Sequence, residues 1–351
     1  MVLYWSASEI GSANYCLMRH YLEYGLKIKP RLSMYEKGTV IHRLIENFWD
    51  WKDNILGKKY KNKTPEEFAK YAKGVWIGHF MASEKSKRKN AKPIIWNSKE
   101  EKWIIAWQIE NIAPLLYEQL SKDGRPLFSE KTFDFSFEIA VNDKKRIIGF
   151  DGVVDEVRIR EGIPVIRDYK TGNMRFGDMS LGHDPQPTFY WLALSAMAYN
   201  NKEFAELVGL ADEAPTLMGH PKFLSERVRF EYCLIKDPKK DEDGNMHSAE
   251  IKFEAVKRTD DNFFELIKNL LGVGERISTR NVYPERGKKC DYCPVRKDCE
   301  EHERPDLSKP RQQTLFNIIN PPRVTKEITV GKVKQRRFDW AAAKKKAEKI
   351  N

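Results

Sequence analysis

One stretch, residues 147–172, constrains the fold of this chain most strongly; it reads IIGFDGVVDEVRIREGIPVIRDYKTG. Apolar and polar residues alternate on both sides of Arg160-Glu161-Gly162, which predicts two β-strands joined by a polar turn. Side chains alternate between the faces of a strand, so Asp168 and Lys170 share a face in the second strand. Asp155 stands in the first strand. Buried charges are costly unless they pair or bind metal, so these three groups predict a functional site rather than a solvated ion pair.

The composition predicts a folded protein. The chain has 351 residues, with nine Trp, fourteen Tyr and eighteen Phe, which is enough for one large domain or two ordinary ones. It has no run of eighteen apolar residues, and its first twelve residues lack a basic start followed by an apolar stretch. We therefore expect neither a membrane span nor a secretory signal, and a cytoplasmic location.

The positive charge is concentrated at the C-terminus. The net charge is +11, and residues 309–351 contain twelve Lys or Arg against three acidic residues, so nine of the eleven charges lie there. A mobile cationic tail on a nearly neutral body suits weak, salt-sensitive attachment to a polyanion such as DNA. A disordered end that only improves solubility explains the same pattern, and the sequence leaves both interpretations open.

Three of the five cysteines are closely spaced. Cys290, Cys293 and Cys299 form a Cys-x-x-Cys-x-x-x-x-x-Cys pattern in a segment rich in Lys, Arg and Asp. Without a secretory signal, thiolate ligation of a metal explains this spacing better than disulfides. Cys16 falls on a predicted helix that starts at Ser6 or Ser8; a lone cysteine there is ordinarily a small buried hydrophobe.

Four short patterns occur in an order that resembles the RecB-like branch of the PD-(D/E)XK nucleases. They are Gly38-x-x-x-His42, Gly152-x-x-Asp155, Asp168-Tyr169-Lys170 and Gln186-x-x-x-Tyr190. The Ser-x-Ser opening before Cys16 and the three distant C-terminal cysteines also resemble the members of this branch that carry an iron–sulfur cluster. Each pattern is short, but their joint occurrence in this order is specific.

The resemblance implies roles for the residues of the motifs. Asp155 and Asp168 would bind Mg²⁺ or Mn²⁺, with His42 and a main-chain oxygen of Tyr169 as further ligands. Oxygen ligands suit Mg²⁺, and a histidine shifts the preference toward Mn²⁺. Lys170 would position or deprotonate the attacking water and stabilise the charged transition state.

The resemblance also implies roles outside the metal site. Gln186 and Tyr190 would help to bind DNA and to order the site. The four cysteines would hold a cluster as Cys16, Cys290, Cys293 and Cys299. By chemistry alone, four thiolates suit tetrahedral zinc and a cubane cluster equally well, and the resemblance favours [4Fe–4S] over zinc.

The expected fold is α/β, with a restriction-endonuclease-like mixed β-sheet core flanked by helices, a helical insertion and a C-terminal metal-cluster region. Thr132–Val141 alternates strongly and predicts a first strand that precedes the central hairpin. A helix is expected to open at Pro187. The predicted divisions are N-terminal helices (1–52), a helical insertion (53–125), the nuclease core (126–280), the cysteine cluster (281–303) and a basic, disordered tail (304–351).

The predicted function is that of a metal-dependent deoxyribonuclease, specifically an exonuclease on single-stranded or frayed ends in recombination, repair or phage DNA processing. The alternatives are a CRISPR-associated nuclease that trims DNA ends, and a non-catalytic recombination subunit that binds DNA or is tethered to the sliding clamp. In the tail, Gln312-Gln-Thr-Leu315-Phe316 resembles the peptide with which bacterial DNA-processing proteins bind the sliding clamp. No phosphate-binding Gly-rich Lys-Ser/Thr loop is present in the sequence, so duplex unwinding would require a separate helicase as partner.

Overall fold

The computed structural model describes residues 3–85, 92–141, 144–172, 184–212, 227–240, 246–278, 282–302 and 329–335. The strands are β1 (Leu3–Trp5), β2 (Arg31–Leu32), β3 (Ile94–Ile95), β4 (Phe128–Val141), β5 (Lys144–Arg160), β6 (Ile163–Thr171), β7 (Arg229–Lys236), β8 (Lys239–Lys240), β9 (Met246–His247), β10 (Glu250–Val256) and β11 (Thr329–Gln335). The α-helices are α1 (Ala7–Tyr15), α2 (Leu17–His20), α3 (Ser33–Glu46), α4 (Phe48–Lys52), α5 (Pro65–Glu84), α6 (Glu101–Asp123), α7 (Pro185–Asn200), α8 (Lys202–Leu207), α9 (Asp260–Ser278) and α10 (Arg296–His302). A π-helical turn spans Tyr21–Gly25 and a 3₁₀ turn spans Lys288–Tyr292.

A seven-stranded mixed sheet organises the molecule. Its strand order is β10-β7-β6-β5-β4-β11, and β1 lies beside β5. The β6–β7 and β1–β5 pairs are parallel and the other pairs are antiparallel. The predicted meander of three consecutive strands is β4-β5-β6. Its hairpin turns at Glu161 and Gly162, both with positive φ (53° and 75°), as a tight hairpin between twisted strands requires.

Strands β5 and β6 separate at one end, and this separation creates the candidate site. β6 pairs with β5 only from Ile163 to Arg167, opposite residues 156–160, and then continues to Thr171 against β7 alone. β1 pairs with the same edge of β5 at residues 148–150. The edge of β5 between these two neighbours therefore leaves a gap in the sheet, and Asp155 lies in it.

Helices cover both faces of the sheet. One hydrophobic core lies under α1, α7 and α9 and includes the buried aromatic rings of Phe133, Phe150 and Phe189. The other lies under α3, α4, α5 and α6 and includes Tyr169 and Cys233 from the sheet. The helical insertion thus packs with the N-terminal helices in one core. This mixed α/β arrangement is consistent with a restriction-endonuclease-like fold. None of the helices in the described ranges combines the length and apolarity needed to cross a bilayer.

Two predicted boundaries shift for local reasons. The first strand of the meander begins at Phe128 rather than at Thr132, because Phe128 and Ser129 continue the pairing with β5. The helix predicted to open at Pro187 opens at Pro185, because the Asp184 side chain accepts a hydrogen bond from the Gln186 N–H and caps it.

Two other predictions are corrected. Cys16 does not lie on a helix: its backbone is extended (φ −169°, ψ 126°), and it separates α1, which Ser6 caps, from α2. The tail predicted to be disordered contains β11, which pairs with β4 from Thr329 to Gln335. The clamp-like residues Gln312, Leu315 and Phe316 lie outside the described residues.

Candidate metal and active site

Two glycines allow the strands to present the acidic and basic residues of the motifs. A methyl group at Gly152 would lie 2.9 Å from the Phe133 ring, so only glycine lets β4 pack against β5 here, three residues before Asp155. Gly172 has φ 97°, a conformation that favours glycine, and its N–H donates to Ile235 O at 3.0 Å. The chain therefore leaves β6 directly after Lys170 and Thr171.

Helix α3 brings His42 to the gap. Gly38 lies one turn earlier, where a side chain would approach the Thr171 hydroxyl oxygen to 3.1 Å, so the glycine permits α3 to pack closely on the end of β6. His42 Nε2 lies 3.0 Å from the main-chain oxygen of Tyr169, and Nδ1 lies 3.5 Å from an Asp155 carboxylate oxygen. The same Asp155 oxygen accepts a hydrogen bond of 2.9 Å from the Tyr169 N–H.

Glu130 is a site residue that the sequence motifs did not indicate. It lies in β4, where the β4–β5 register places it opposite Asp155, and its carboxylate is 3.3 Å from His42 Nδ1. Its φ is 47°, a left-handed value that costs a non-glycine residue about 1–2 kcal/mol and that is characteristic of functional sites. The predicted strand began at Thr132 and therefore left Glu130 out.

Asp168 and Lys170 form the second half of the site. Lys170 Nζ lies 2.7 Å from an Asp168 carboxylate oxygen and donates to Gln186 Oε1 at 2.6 Å. Gln186 Nε2 donates to Asp168 at 2.7 Å and to the Tyr190 hydroxyl oxygen at 2.9 Å. The side-chain amide of Gln186 thus fixes the acid, the amine and the phenol relative to one another.

The start of α7 is anchored, which fixes Gln186 in turn. The second carboxylate oxygen of Asp184 accepts a hydrogen bond from the Tyr232 hydroxyl at 2.6 Å, which ties the helix to β7. Arg258 donates to the Asp184 main-chain oxygen at 2.6 Å and to the Thr188 hydroxyl at 3.1 Å. These bonds leave the first turn of α7 little freedom to move away from β6.

The acidic groups in the gap raise the pKa values of their neighbours. Burial lowers the pKa of His42, but the hydrogen bond with Glu130 and the charges of Asp155 and Asp168 raise it overall to about 9. Burial and the nearby charge of Asp168 raise the pKa of Asp155 to about 7. Burial also raises the pKa of Asp168. The ionised forms of these neighbouring carboxylates are therefore unfavourable in the free protein. A bound cation would stabilise them.

The donor atoms suit a divalent cation. One atom each from His42, Glu130 and Asp155 lies within 4.8 Å of the other two, close enough for a single ion to contact all three. Tyr169 O is adjacent, through its contact with His42 Nε2. The Asp168 carboxylate does not join this group of three, because Lys170 and Gln186 hold it. One imidazole with several oxygens is a ligand set for Mg²⁺ or Mn²⁺.

The comparison with known families agrees with this geometry. A family model described as the PD-(D/E)XK nuclease superfamily matches residues 4–300. This chain belongs to the PD-(D/E)XK nuclease superfamily. Among curated proteins, none matches the sequence. Membership makes the protein a metal-dependent nuclease, and the matched range includes every residue of the candidate site.

This PD-(D/E)XK nuclease also brings its four predicted cysteines to one cavity. Cys16, between α1 and α2, lines a cavity of about 210 Å³ together with Cys290, Cys293 and Cys299. Burial raises the pKa of the Cys293 thiol, and the nearby Cys16 and Cys290 raise it further. The two chain ends are joined here by hydrogen bonds as well: the Tyr15 hydroxyl donates to Lys289 O, and Lys289 Nζ donates to Tyr15 O at 2.7 Å.

Proposed function

We propose that this protein is a RecB-like deoxyribonuclease that removes nucleotides from single-stranded or frayed DNA ends in recombination, repair or phage DNA processing. The observation that supports this most directly is the position of His42, Glu130 and Asp155 around one point, beside the Asp168–Lys170 pair. A divalent cation bound there supplies charge neutralisation on the phosphate and an acidified water. His42, Glu130, Asp155 and Tyr169 O would hold it.

Lys170 acts as a cation in this proposal. Burial lowers the pKa of Lys170, but the charges of Asp168 and Asp155 raise it above its ordinary value, so the amine stays protonated near neutral pH. A protonated Lys170 donates hydrogen bonds to the phosphate oxygens and stabilises the negative charge that develops during hydrolysis. Deprotonation of the water by Lys170, one of the two roles expected from the sequence, is disfavoured in the free protein.

Gln186 and Tyr190 position the reacting groups. Gln186 accepts a hydrogen bond from Lys170 and donates one to Asp168. It therefore holds the ammonium group and the carboxylate in fixed positions relative to each other. Burial and the charge of Asp168 raise the pKa of Tyr190 well above its ordinary value, so its hydroxyl stays neutral and accepts the amide hydrogen of Gln186. Loss of Gln186 would remove one of the two partners of Lys170, and loss of Tyr190 would remove a partner of Gln186.

Two observations favour an iron–sulfur cluster over zinc at the cysteines. Four thiolates around one zinc ion lie about 3.8 Å apart. Among the described residues, no three cysteine sulfurs lie within 4.8 Å of one another. The four cysteines also line one open cavity of about 210 Å³, which has room for a group larger than a single ion. Each of the four sulfurs would then bind one iron of a cubane and join the two ends of the chain.

Cleavage of labelled DNA tests the proposed function. We expect the purified protein to shorten linear single strands in Mg²⁺ or Mn²⁺, to stop in EDTA and to spare circular single strands. Lys170→Ala should reduce the rate at least 100-fold without loss of folding, because the positioned amine acts only on the reacting phosphate. Lys202→Ala is the matched control, since this side chain is 87% exposed and lies away from the site.

The outcomes separate the parts of the proposal. Cleavage of circular strands would contradict the exonuclease assignment while leaving the metal site intact. Binding of DNA without cleavage in either metal would instead support a non-catalytic DNA-binding subunit. Equal activity of Lys170→Ala and Lys202→Ala would remove Lys170 from the mechanism.

A further inference from the structure

An exposed tyrosine stands on the helix that carries His42. Tyr35 is seven residues before His42 in α3, which is close to two full turns, so the two side chains share a face about 10 Å apart along the axis. Tyr35 is 49% exposed. The His42 side chain is 27% exposed, so the site opens toward the same side of the helix. Ten ångströms is about the rise of three stacked nucleotides.

Arg19 connects Tyr35 to the cysteine cavity. It lines that cavity, and it lies close enough to both Tyr35 and Cys293 for their charges to act on its guanidinium group. An ion pair of 2.9 Å with Glu23 fixes the side chain, and its guanidinium lies 5.0 Å from the centre of the Tyr15 ring. The exposed end of α3 and the cysteine segment are therefore neighbours.

A second exposed tyrosine lies between two of the cysteines. Tyr292 is part of the 3₁₀ turn between Cys290 and Cys293, and at 86% exposure it is the most exposed large apolar side chain in the described ranges. Arg286 and Lys288, on the same segment, are also exposed. Aromatic rings interspersed with basic side chains are the usual surface for an unpaired nucleic-acid strand.

We propose that Tyr35, Arg19 and Tyr292 form a binding track for an unpaired DNA strand that leads from the cysteine segment to the metal site. The two rings stack on bases, and Arg19 contacts a phosphate between them. Paired bases do not expose their faces, so the track selects single strands and frayed ends. The proposal that the strand leads to the metal site rests on the proposed nuclease function. The proposal that the track binds a single strand does not.

Fluorescence anisotropy tests the track in full-length Lys170→Ala protein, in which we expect cleavage to be at least 100-fold slower, so that the probe stays intact during the titration. The probes are a labelled 20-nucleotide single strand of mixed sequence and the corresponding blunt duplex. We expect Tyr35→Ala and Tyr292→Ala each to weaken single-strand binding about 5- to 100-fold, with a smaller effect on the duplex. Tyr35→Phe and Tyr292→Phe should bind like the parent, because phenylalanine retains the stacking face.

The control is Tyr199→Ala, which removes a 43% exposed tyrosine at the far end of α7. It should leave binding unchanged, and thermal unfolding and iron content should match the parent in every variant compared. Tyr35 is outside the cysteine segment, so Tyr35→Ala tests the track even if a change at Tyr292 disturbs the cluster. Unchanged single-strand binding in Tyr35→Ala, or an equal loss for the duplex, would overturn the proposal. Absence of nuclease activity in the Lys170-containing protein, with the binding losses retained, would contradict the proposed function alone.

Discussion

Lys170 and His42 both remain protonated in the metal-free protein, and for the same reason. Each is partly buried, which opposes the charged form, but each lies beside carboxylates that more than offset this effect. Metal binding would affect the two protonated groups differently. A divalent ion would displace the proton of His42, whose nitrogen is needed as a ligand, whereas Lys170 is paired with Asp168, which lies outside the group of three ligands.

Metal binding should therefore depend on pH. The pKa of His42 is about 9 and that of Asp155 about 7, so at pH 6 both groups hold protons that a metal ion must displace. Affinity should increase with pH by up to tenfold per unit for each proton released, and level off near pH 9. Calorimetric Mn²⁺ titrations from pH 6 to 9, in buffers of different ionisation enthalpy, measure both affinity and proton release. A flat affinity with no proton release would mean that His42 and Asp155 are not ligands.

Glu130 should be required for this binding. Glu130→Gln keeps the size of the side chain but removes the charge, so we expect Mn²⁺ affinity to fall at least tenfold. The pKa of His42 should also fall, because Glu130 contributes to raising it. The control is Glu138→Gln, the same change in the same strand but away from the gap. Titration calorimetry and histidine NMR resonances report the two effects. Equal Mn²⁺ affinity in both variants would remove Glu130 from the site.

At the scale of elements, the hairpin of β5 and β6 was predictable because its pattern is local. Alternation gave the two strands, and Glu161-Gly162 gave the turn. The separation of β6 from β5 after Arg167 was not predictable, since it depends on β7, a strand more than fifty residues later in the chain. Glu130 was missed because a charged, left-handed residue at the start of β4 interrupts the alternation.

Gly152 should be essential to the pairing of β4 and β5. A methyl group there would lie 2.9 Å from Phe133, a fully buried ring, so we expect Gly152→Ala to destabilise the fold by about 1–3 kcal/mol. Gly78→Ala, at a helical position where a methyl group meets nothing within 4 Å, is the control and should be neutral or slightly stabilising. Urea denaturation measures both. A Gly152→Ala protein as stable as the parent would show that the Phe133 ring can move.

At the scale of the whole molecule, the cysteine cavity joins the two ends of the matched family range. The spacing of the three C-terminal cysteines was visible in the sequence, but the contacts between their segment and the N-terminal helices were not. Tyr15 and Lys289 are 274 positions apart and exchange hydrogen bonds, and no local pattern signals such a pair. The extended backbone of Cys16 between two helices was likewise not predicted.

Loss of one cluster cysteine should loosen this junction. Metal binding by four thiolates contributes folding free energy on the order of 10 kcal/mol, so Cys293→Ala should lose iron and expose the C-terminal segment to proteolysis. Cys233→Ala is the matched control: Cys233 is buried in the core of the sheet and should affect neither iron content nor the segment. Iron analysis and limited proteolysis are the measurements. An iron-free Cys293→Ala protein with the parent's proteolytic cleavage pattern would contradict this prediction. It would show that the hydrogen bonds between the two chain ends hold the C-terminal segment in place without the cluster.

The position of a bound metal tests the central claim most directly. Crystals grown with Mn²⁺ and Lys170→Ala protein should show an anomalous peak in bonding contact with His42, Asp155 and Tyr169 O, with Glu130 on the same ion. A peak held by other residues, or none at these four groups when Mn²⁺ is saturating, would contradict the account.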